Sequence, residues 1–389
     1  MLELRFSTDK YTKLPSLKRR RAQLLEVFPV NHELSSDFLW YDMKIQGEAT
    51  FDLDCLRKNY SGRDKHLVLL LSAWGQLFTT IRRWKPAREK QLMKARGQQV
   101  RLVFPGDIVK KERLTPFVKR FRSTDQGVVC PGFMQLNLAT GCLYGCDYCY
   151  LKGTLRGQKY VNVYTNDWDQ IAEQITQAGP GVYNAGELAD SLATTPPLLH
   201  PAIDWFRDRK GYTLLLVTKA ARSPVLGVVQ GLTPSPNIIF SFSLNAVSRA
   251  VAWERGAASI SERLFAAREL TRLGWRVRIR LDPIIYPSDL HDYEFIAHEI
   301  KSLNPEVVTL GSMRPYGPVY NQMPEELKAD LEKGPDRRWR YPEGQRAAAY
   351  WAIAGTLGRQ PGLCKETTSL YARLGWGVKE CNCVEAGGE

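Results

Sequence analysis

From about residue 133 onward the chain alternates apolar runs with amphipathic stretches, the pattern of strands and helices taken in turn. Residues 133–139, 181–185, 212–219, 237–245, 276–285 and 306–311 read as strands. Residues 167–178, 198–208, 220–231, 259–273 and 289–303 read as the helices between them, the first opening on the acidic pair Asp167 and Asp169. Six strands alternating with helices predict an α/β fold, a partial (β/α)6 TIM-like barrel open on one side. Chemistry in β/α barrels gathers at the C-terminal ends of the strands. The alternation divides the chain into three parts. Residues 1–125 are a basic N-terminal α+β extension, with an apolar helix at 66–78 and a strand at 100–104. Residues 126–315 are the barrel. Residues 316–389 are a mostly helical C-terminal segment, entered through a Pro/Gly-rich stretch around 315–318 and ending in a cysteine-bearing tail.

The first barrel strand runs into Gly141-Cys142-Leu143-Tyr144-Gly145-Cys146-Asp147-Tyr148-Cys149-Tyr150-Leu151, a C-x3-C-x2-C loop. Thiolates are the ligands of iron–sulfur clusters, and a four-iron cubane takes four of them. A loop that offers three leaves one iron open to a small molecule. S-adenosylmethionine (SAM) fits that opening, chelating through its amino and carboxylate groups. One electron from the cluster can then cleave its C–S bond and release a 5′-deoxyadenosyl radical. A zinc knuckle is the competing reading, but such a site is closed by a fourth ligand, and none lies close by in sequence. The loop therefore predicts a [4Fe-4S] cluster and SAM as cofactors.

Charge changes the picture for the first third of the chain. Residues 1–125 carry 26 Lys and Arg against 14 Asp and Glu, so +12 of the net charge of +13 resides there. The excess gathers in Lys18-Arg19-Arg20-Arg21, in Arg82-Arg83-Trp84-Lys85 and in Lys110-Lys111-Glu112-Arg113. A one-sided basic surplus is the footprint of a polyanion partner, and a merely solvated basic face is the alternative. Arg19, Arg20, Arg21, Arg82, Arg83, Trp84 and Lys85 are the candidate nucleic-acid contacts; an indole among guanidiniums suits unpaired bases. No run of about eighteen apolar residues exists, so no membrane span is predicted. Arg5, Asp9 and Lys10 interrupt any signal-peptide core. Eight cysteines without a secretory signal indicate a reducing, cytoplasmic setting. His32, His66, His200, His291 and His298 form no ligand-spaced cluster, and no phosphate-binding glycine motif appears.

The cysteine loop, together with Tyr160-Val161-Asn162-Val163-Tyr164-Thr165-Asn166, resembles spore photoproduct lyase, a radical SAM enzyme that splits a covalently linked thymine pair in DNA. The resemblance continues through Leu215-Leu216-Val217-Thr218-Lys219 and Phe240-Ser241-Phe242-Ser243-Leu244-Asn245. It then takes in Glu262-Arg263-Leu264-Phe265-Ala266-Ala267-Arg268 and Asp282-Pro283-Ile284, covering roughly residues 130–312. It implies that Cys142, Cys146 and Cys149 hold the cluster. It also implies that Gly186 and Glu187 bind the SAM amino group, that Lys219 and Ser243 hold its carboxylate, and that Asn245 reaches the ribose. A Lys point charge beside a hydroxyl is sound chemistry for a carboxylate. Tyr148 and Tyr150 match a tyrosine pair near the radical site, where a phenol can relay a hydrogen atom; packing of the loop is the plainer reading. The resemblance further implies DNA as partner and an electron donor such as flavodoxin or ferredoxin.

One position departs from the pattern. The lyase carries a cysteine just before the amino-group motif that returns a hydrogen atom to the product radical, and this chain has Asn184 there. Tyr183, Tyr148, Tyr150 or a cysteine elsewhere would have to substitute. Cys364, Cys381 and Cys383 form a further group: a second metal site, a replacement hydrogen donor, or inert thiols. The reading that follows is repair of UV-induced pyrimidine lesions by a radical SAM lyase. Two rivals stand: a radical SAM enzyme on RNA, a peptide or a metabolite, and a non-catalytic iron–sulfur protein that binds nucleic acid.

Overall fold

The structure, a computed structural model, describes residues 2–5, 100–103, 107–121, 127–155, 158, 160–286, 290–334 and 336–385. The chain divides into two compact units, Met1–Val109 with Gln158–Tyr160, and Lys110–Gly157 with Val161–Glu389. In the first, strands Leu2–Arg5 and Val100–Val103 pair in parallel, the second matching the strand expected at 100–104. The helix expected at 66–78 lies outside the described residues, as do Arg19, Arg20, Arg21, Arg82, Arg83, Trp84 and Lys85.

The second unit is built on one eight-stranded sheet. Its strands are β1 (Val118–Phe121), β2 (Phe133–Leu136), β3 (Gly181–Asn184), β4 (Tyr212–Thr218), β5 (Ile238–Leu244), β6 (Arg276–Ile284), β7 (Val307–Ser312) and β8 (Gly362–Leu363). They lie side by side in chain order, parallel throughout except for the antiparallel β1–β2 pair. The connections carry α1 (Trp168–Ala178), α2 (Leu199–Arg207), α3 (Arg222–Val229), α4 (Val247–Trp253), α5 (Ile260–Arg272) and α6 (Leu290–Leu303). The sheet curls into a half-barrel, and the six central strands and their helices fall where the alternation placed them.

The pleat decides which residues go where, because successive side chains point to opposite faces. Leu214, Leu216, Phe240, Phe242, Val277, Ile279 and Leu281 face outward and pack with the helices in the main core. Each such burial is worth about 1.5–3 kcal/mol. Val182, Leu215, Val217 and Ile239 form a smaller apolar floor on the opposite face. On β6 the alternate residues are Arg276, Arg278, Arg280 and Asp282, so this strand lines the barrel interior with charge. Helix α1 starts where Asp167 accepts the Asp169 N–H at 3.2 Å, and α5 where Ser259 accepts the Glu262 N–H at 3.2 Å.

Two features differ from the expectation. The first strand stops at Leu136, not at 139. The Asn137 backbone N–H and side-chain amide both donate to the Phe117 carbonyl, at 2.9 and 3.2 Å, and turn the chain out of the sheet. Ala139–Thr140 then pairs antiparallel with Val161–Tyr164. Past residue 316 the chain forms α7 (Glu343–Leu357), α8 (Thr368–Leu374) and two single-turn helices, and it also returns to the sheet as β8. Directly after β8, Glu366–Thr367 pairs with Val128–Val129, the strand that leads into β2. Residues 364–367 thus cross the open side of the half-barrel.

Candidate active site

The cysteine loop leaves Thr140 through Gly141, whose φ of +93° favours glycine. Backbone bonds pin it at three points: Gly141 N–H to Leu188 O at 2.8 Å, Gly145 N–H to Arg255 O at 2.7 Å, and Asp147 N–H to Trp253 O at 2.9 Å. Asp147 adds ion pairs with Lys152 at 3.1 Å and Arg255 at 3.0 Å. Cys146 is buried, while Cys142 and Cys149 are half-buried, and the Tyr144 N–H lies 3.4 Å from the Cys142 sulfur. Burial pushes the Cys146 thiol up to about 12, against the pull of the nearby Lys219 ammonium. Among the described residues no three His, Cys, Asp or Glu side chains converge as a single metal ion requires. A cubane makes no such demand, since each thiolate binds a different iron. Three adjacent thiols with a backbone donor aimed at sulfur fit that group.

Beside the loop is a residue that no motif announced. Glu254, at the end of α4, is 4% exposed. It pairs with Arg263 at 2.6 Å and Lys219 at 3.5 Å, and it accepts from Asn245 at 3.3 Å and from the Tyr148 hydroxyl. Burial would raise its carboxyl, but Lys219, Arg263 and Tyr148 together bring it down to about 2. Burial and this carboxylate hold the Tyr148 phenol well above its ordinary value, so it stays neutral. The Lys219 ammonium also lies 5.7 Å from the Tyr148 ring centroid. Asn245 is committed on its other side as well, accepting from Tyr293 at 2.6 Å and from its neighbour Ala246 at 3.0 Å. Ser243 is buried one turn of the pleat earlier, its carbonyl held by Arg263 at 2.9 Å.

Across β4 lies the turn after β3. Gly186 passes so close to the strand that a Cβ would come within 2.6 Å of the Val217 Cβ, so only glycine fits. The turn is held by Asn184, 1% exposed, whose side-chain oxygen accepts the Gly186 N–H at 2.8 Å. Burial raises the Glu187 carboxyl, and Lys365, Arg280 and Arg314 work against that. The Tyr150 hydroxyl donates to the Glu187 carbonyl. Asp190 completes the turn, accepting the Lys219 N–H at 2.6 Å and the Thr218 hydroxyl at 2.7 Å.

The structure therefore gathers Cys142, Cys146, Cys149, Tyr148, Tyr150, Gly186, Glu187, Lys219, Ser243 and Asn245 at the C-terminal ends of β3–β5. Tyr183 does not join them. Its ring lies with Phe206 and Tyr212, and its hydroxyl donates to Ile175 O at 3.0 Å, on the helix side of the sheet. Strand alternation explains this, for a residue preceding an inward Asn184 must point outward.

A second constellation faces the first from β6 and β7. Asp282 takes a two-point pair from Arg314, at 2.7 and 2.8 Å, and a bond from Arg280 at 2.5 Å. Arg314 also reaches the Cys364 sulfur at 3.1 Å. The tail lies against β6 within the barrel: the Ser241 hydroxyl donates to Asn382 Oδ1 at 2.7 Å, and Arg278 donates to the carbonyls of Asn382 at 2.9 Å and Val384 at 2.6 Å. Cys381 and Cys383 are hydrogen-bonded to each other, which holds the Cys381 thiol down and the Cys383 thiol up.

The family model for spore photoproduct lyase matches residues 132–310. A spore photoproduct lyase from Geobacillus sp. (strain Y412MC61) is 29% identical over 154 residues. That match takes in 38% of this chain and 44% of the relative, so the chain spans less than half of that protein's length. A solved spore photoproduct lyase in complex with dinucleoside spore photoproduct superposes with a TM-score of 0.53 at 20% identity, over 71% of this chain and 92% of that one. A solved spore photoproduct lyase mutant with bound S-adenosylmethionine and dinucleoside spore photoproduct gives a TM-score of 0.53 at 19% identity, with the same coverage. No helix among the described residues is long and apolar enough to cross a membrane. Residues 132–310 thus match the spore photoproduct lyase family model, and the fold is similar to that of the solved lyases.

Proposed function

We propose that the protein is a radical SAM lyase that reverses UV-induced pyrimidine linkages in DNA. The observation that carries this reading is the meeting of the three-cysteine loop with Glu187 and Lys219 at adjoining strand ends, within a lyase-like domain. Cys142, Cys146 and Cys149 would hold a [4Fe-4S] cluster and leave one iron for SAM, and the bound pair supplies a 5′-deoxyadenosyl radical on receiving one electron.

The chain's own groups do the rest. The Glu187 carboxylate receives the SAM ammonium, while Gly186 keeps the β3 turn tight enough for close approach. Lys219 has three N–H donors and gives Glu254 only one direction, so it can also hold the SAM carboxylate, with Ser243 beside it. Asn245 is anchored by Tyr293 and Glu254 and offers its remaining amide hydrogen to the ribose. Tyr148 and Tyr150 are held beside the site by Glu254 and the Glu187 carbonyl. The basic surplus within residues 1–125 would carry the phosphate backbone, and the lesion would leave the stack to reach the barrel. Flavodoxin or ferredoxin is the expected electron source, and the cytoplasm the expected setting.

A second reading, radical SAM chemistry on RNA, a peptide or a metabolite, is favoured by one observation: Asn184 stands where the lyases carry their hydrogen-donating cysteine. The test is anaerobic incubation of the cluster-loaded protein with SAM, dithionite and oligonucleotides bearing defined lesions. Restored pyrimidines together with 5′-deoxyadenosine are expected. Deoxyadenosine without restored bases moves the substrate elsewhere, and neither product removes the radical reading.

A further inference from the structure

Asn184 has no abstractable hydrogen comparable to S–H, and its side-chain oxygen is engaged by the Gly186 N–H. A lyase built this way needs its hydrogen atom from another direction. Cys364 directly follows β8, the C-terminal end of a parallel strand, and so lies on the functional face of the barrel. It opens the 364–367 segment that crosses the open side toward the entry of β2. Its position is fixed from both sides. The Cys364 N–H donates to Leu310 O at 2.7 Å. Two residues on, the fully buried Glu366 accepts from Ser312 at 3.0 Å, from Tyr350 at 2.7 Å and from Arg346.

The surroundings of this thiol connect it to the SAM side. Arg314 touches the sulfur at 3.1 Å and Arg280 approaches at 3.8 Å. Both guanidiniums also act on Glu187, and Arg280 acts on Tyr150. Cys383 and its partner Cys381 lie within the field of the same Arg280. Two guanidiniums at one sulfur disfavour a metal cation there. Burial raises the Cys364 thiol to about 11 against the pull of both guanidiniums, which favours the protonated sulfur.

We propose that Cys364 is the hydrogen-atom donor of this enzyme, supplied from the β8 edge in place of the β3 edge. The proposal rests on the lyase reading. In the step, the Cys364 S–H bond breaks homolytically, a C–H bond forms on the product carbon radical, and the unpaired electron passes to sulfur. The sulfur radical then takes a hydrogen atom from the methyl group of 5′-deoxyadenosine, which restores the S–H bond and regenerates the 5′-deoxyadenosyl radical, so hydrogens and electrons balance without an added oxidant or reductant.

The experiment runs the cluster-loaded protein in D2O with SAM and dinucleoside spore photoproduct. The wild type should place a solvent deuterium, carried by the exchanged thiol, in the restored thymine. C364A should lose that label and most of the restored product while still forming 5′-deoxyadenosine. The double variant C364A/N184C should regain both, a rescue that no packing role of Cys364 explains. Independently of turnover, the dinucleoside should slow iodoacetamide labelling of Cys364, read by peptide mapping. Restored thymine with its label intact in C364A would overturn the donor and leave the lyase reading standing. A wild type that forms neither 5′-deoxyadenosine nor thymine would overturn both.

Discussion

Two buried carboxylates divide the barrel mouth, and they use one electrostatic device for different ends. Glu254 sits between Lys219 and Arg263; Asp282 sits between Arg280 and Arg314. Each is a single anion shared by two cations, which keeps one positive charge in surplus. Around Glu254 that surplus is Lys219, beside the cysteine loop and Tyr148. Around Asp282 it lies against a thiol and faces Glu187 from the other side. The first network is tied into the loop that would carry the cluster, the second into the segment that closes the barrel. The proposed cofactor pocket and the proposed donor thiol thus lie on two networks, linked through the action of Arg280 and Arg314 on Glu187.

Breaking the device is the largest test. Glu254→Gln leaves Lys219 and Arg263 without their charge partner and should cost about 3–5 kcal/mol of stability, read as a lower urea midpoint. It should also lower iron loading, because Tyr148 is left with a neutral acceptor in place of a charged one. Asp282→Asn should cost a similar amount and leave iron loading unchanged; equal iron loss in both variants would erase the distinction between the two regions.

The pH dependence sharpens it. Glu254 is held near 2, below its unfolded value, so its contribution is present above pH 4.5 and is lost as the pH falls toward 2. Urea midpoints at pH 6 and pH 3 should therefore differ less in Glu254→Gln than in the wild type.

Smaller effects follow at the edges. Gly362→Ala should cost about 1–3 kcal/mol, because a Cβ there collides with the Glu380 carbonyl and lifts the tail from β8. It should expose Cys381 and Cys383 to alkylation and leave the cysteine loop as it was. Asn184→Ala removes one turn-holding bond and should cost about 1 kcal/mol, with 5′-deoxyadenosine formation retained.

Much of the first region was legible in the sequence, and little of the second. The central strands are buried on both faces, so runs such as Leu214-Leu215-Leu216-Val217 announce themselves. Asp167 and Ser259 are helix-starting residues in plain view. On β6, by contrast, Arg-Val-Arg-Ile-Arg-Leu-Asp reads as a strand with one wet face, whereas its charges point into the barrel and Arg278 is fully buried. β8 is two residues long, too short for any period to register. Glu254 follows a seven-residue helix and resembles an ordinary loop acid. Only its partners, drawn from β4, β5, α5 and the cysteine loop, reveal it as a hub. Tyr183 failed as a candidate because proximity in sequence to Asn184 places it on the opposite face.

The three backbone bonds at Gly141, Gly145 and Asp147 have a consequence for how such a protein is matured. A zinc finger wraps around its ion and is unfolded without it. Here the loop is laced to residues 188, 253 and 255 by its own amides, which should hold its shape whatever the thiols bind. Iron and sulfide would enter a basket that already exists, and oxidative loss of the cluster would empty that basket without collapsing it. Amide protons of the loop should then exchange with solvent equally slowly before and after loading.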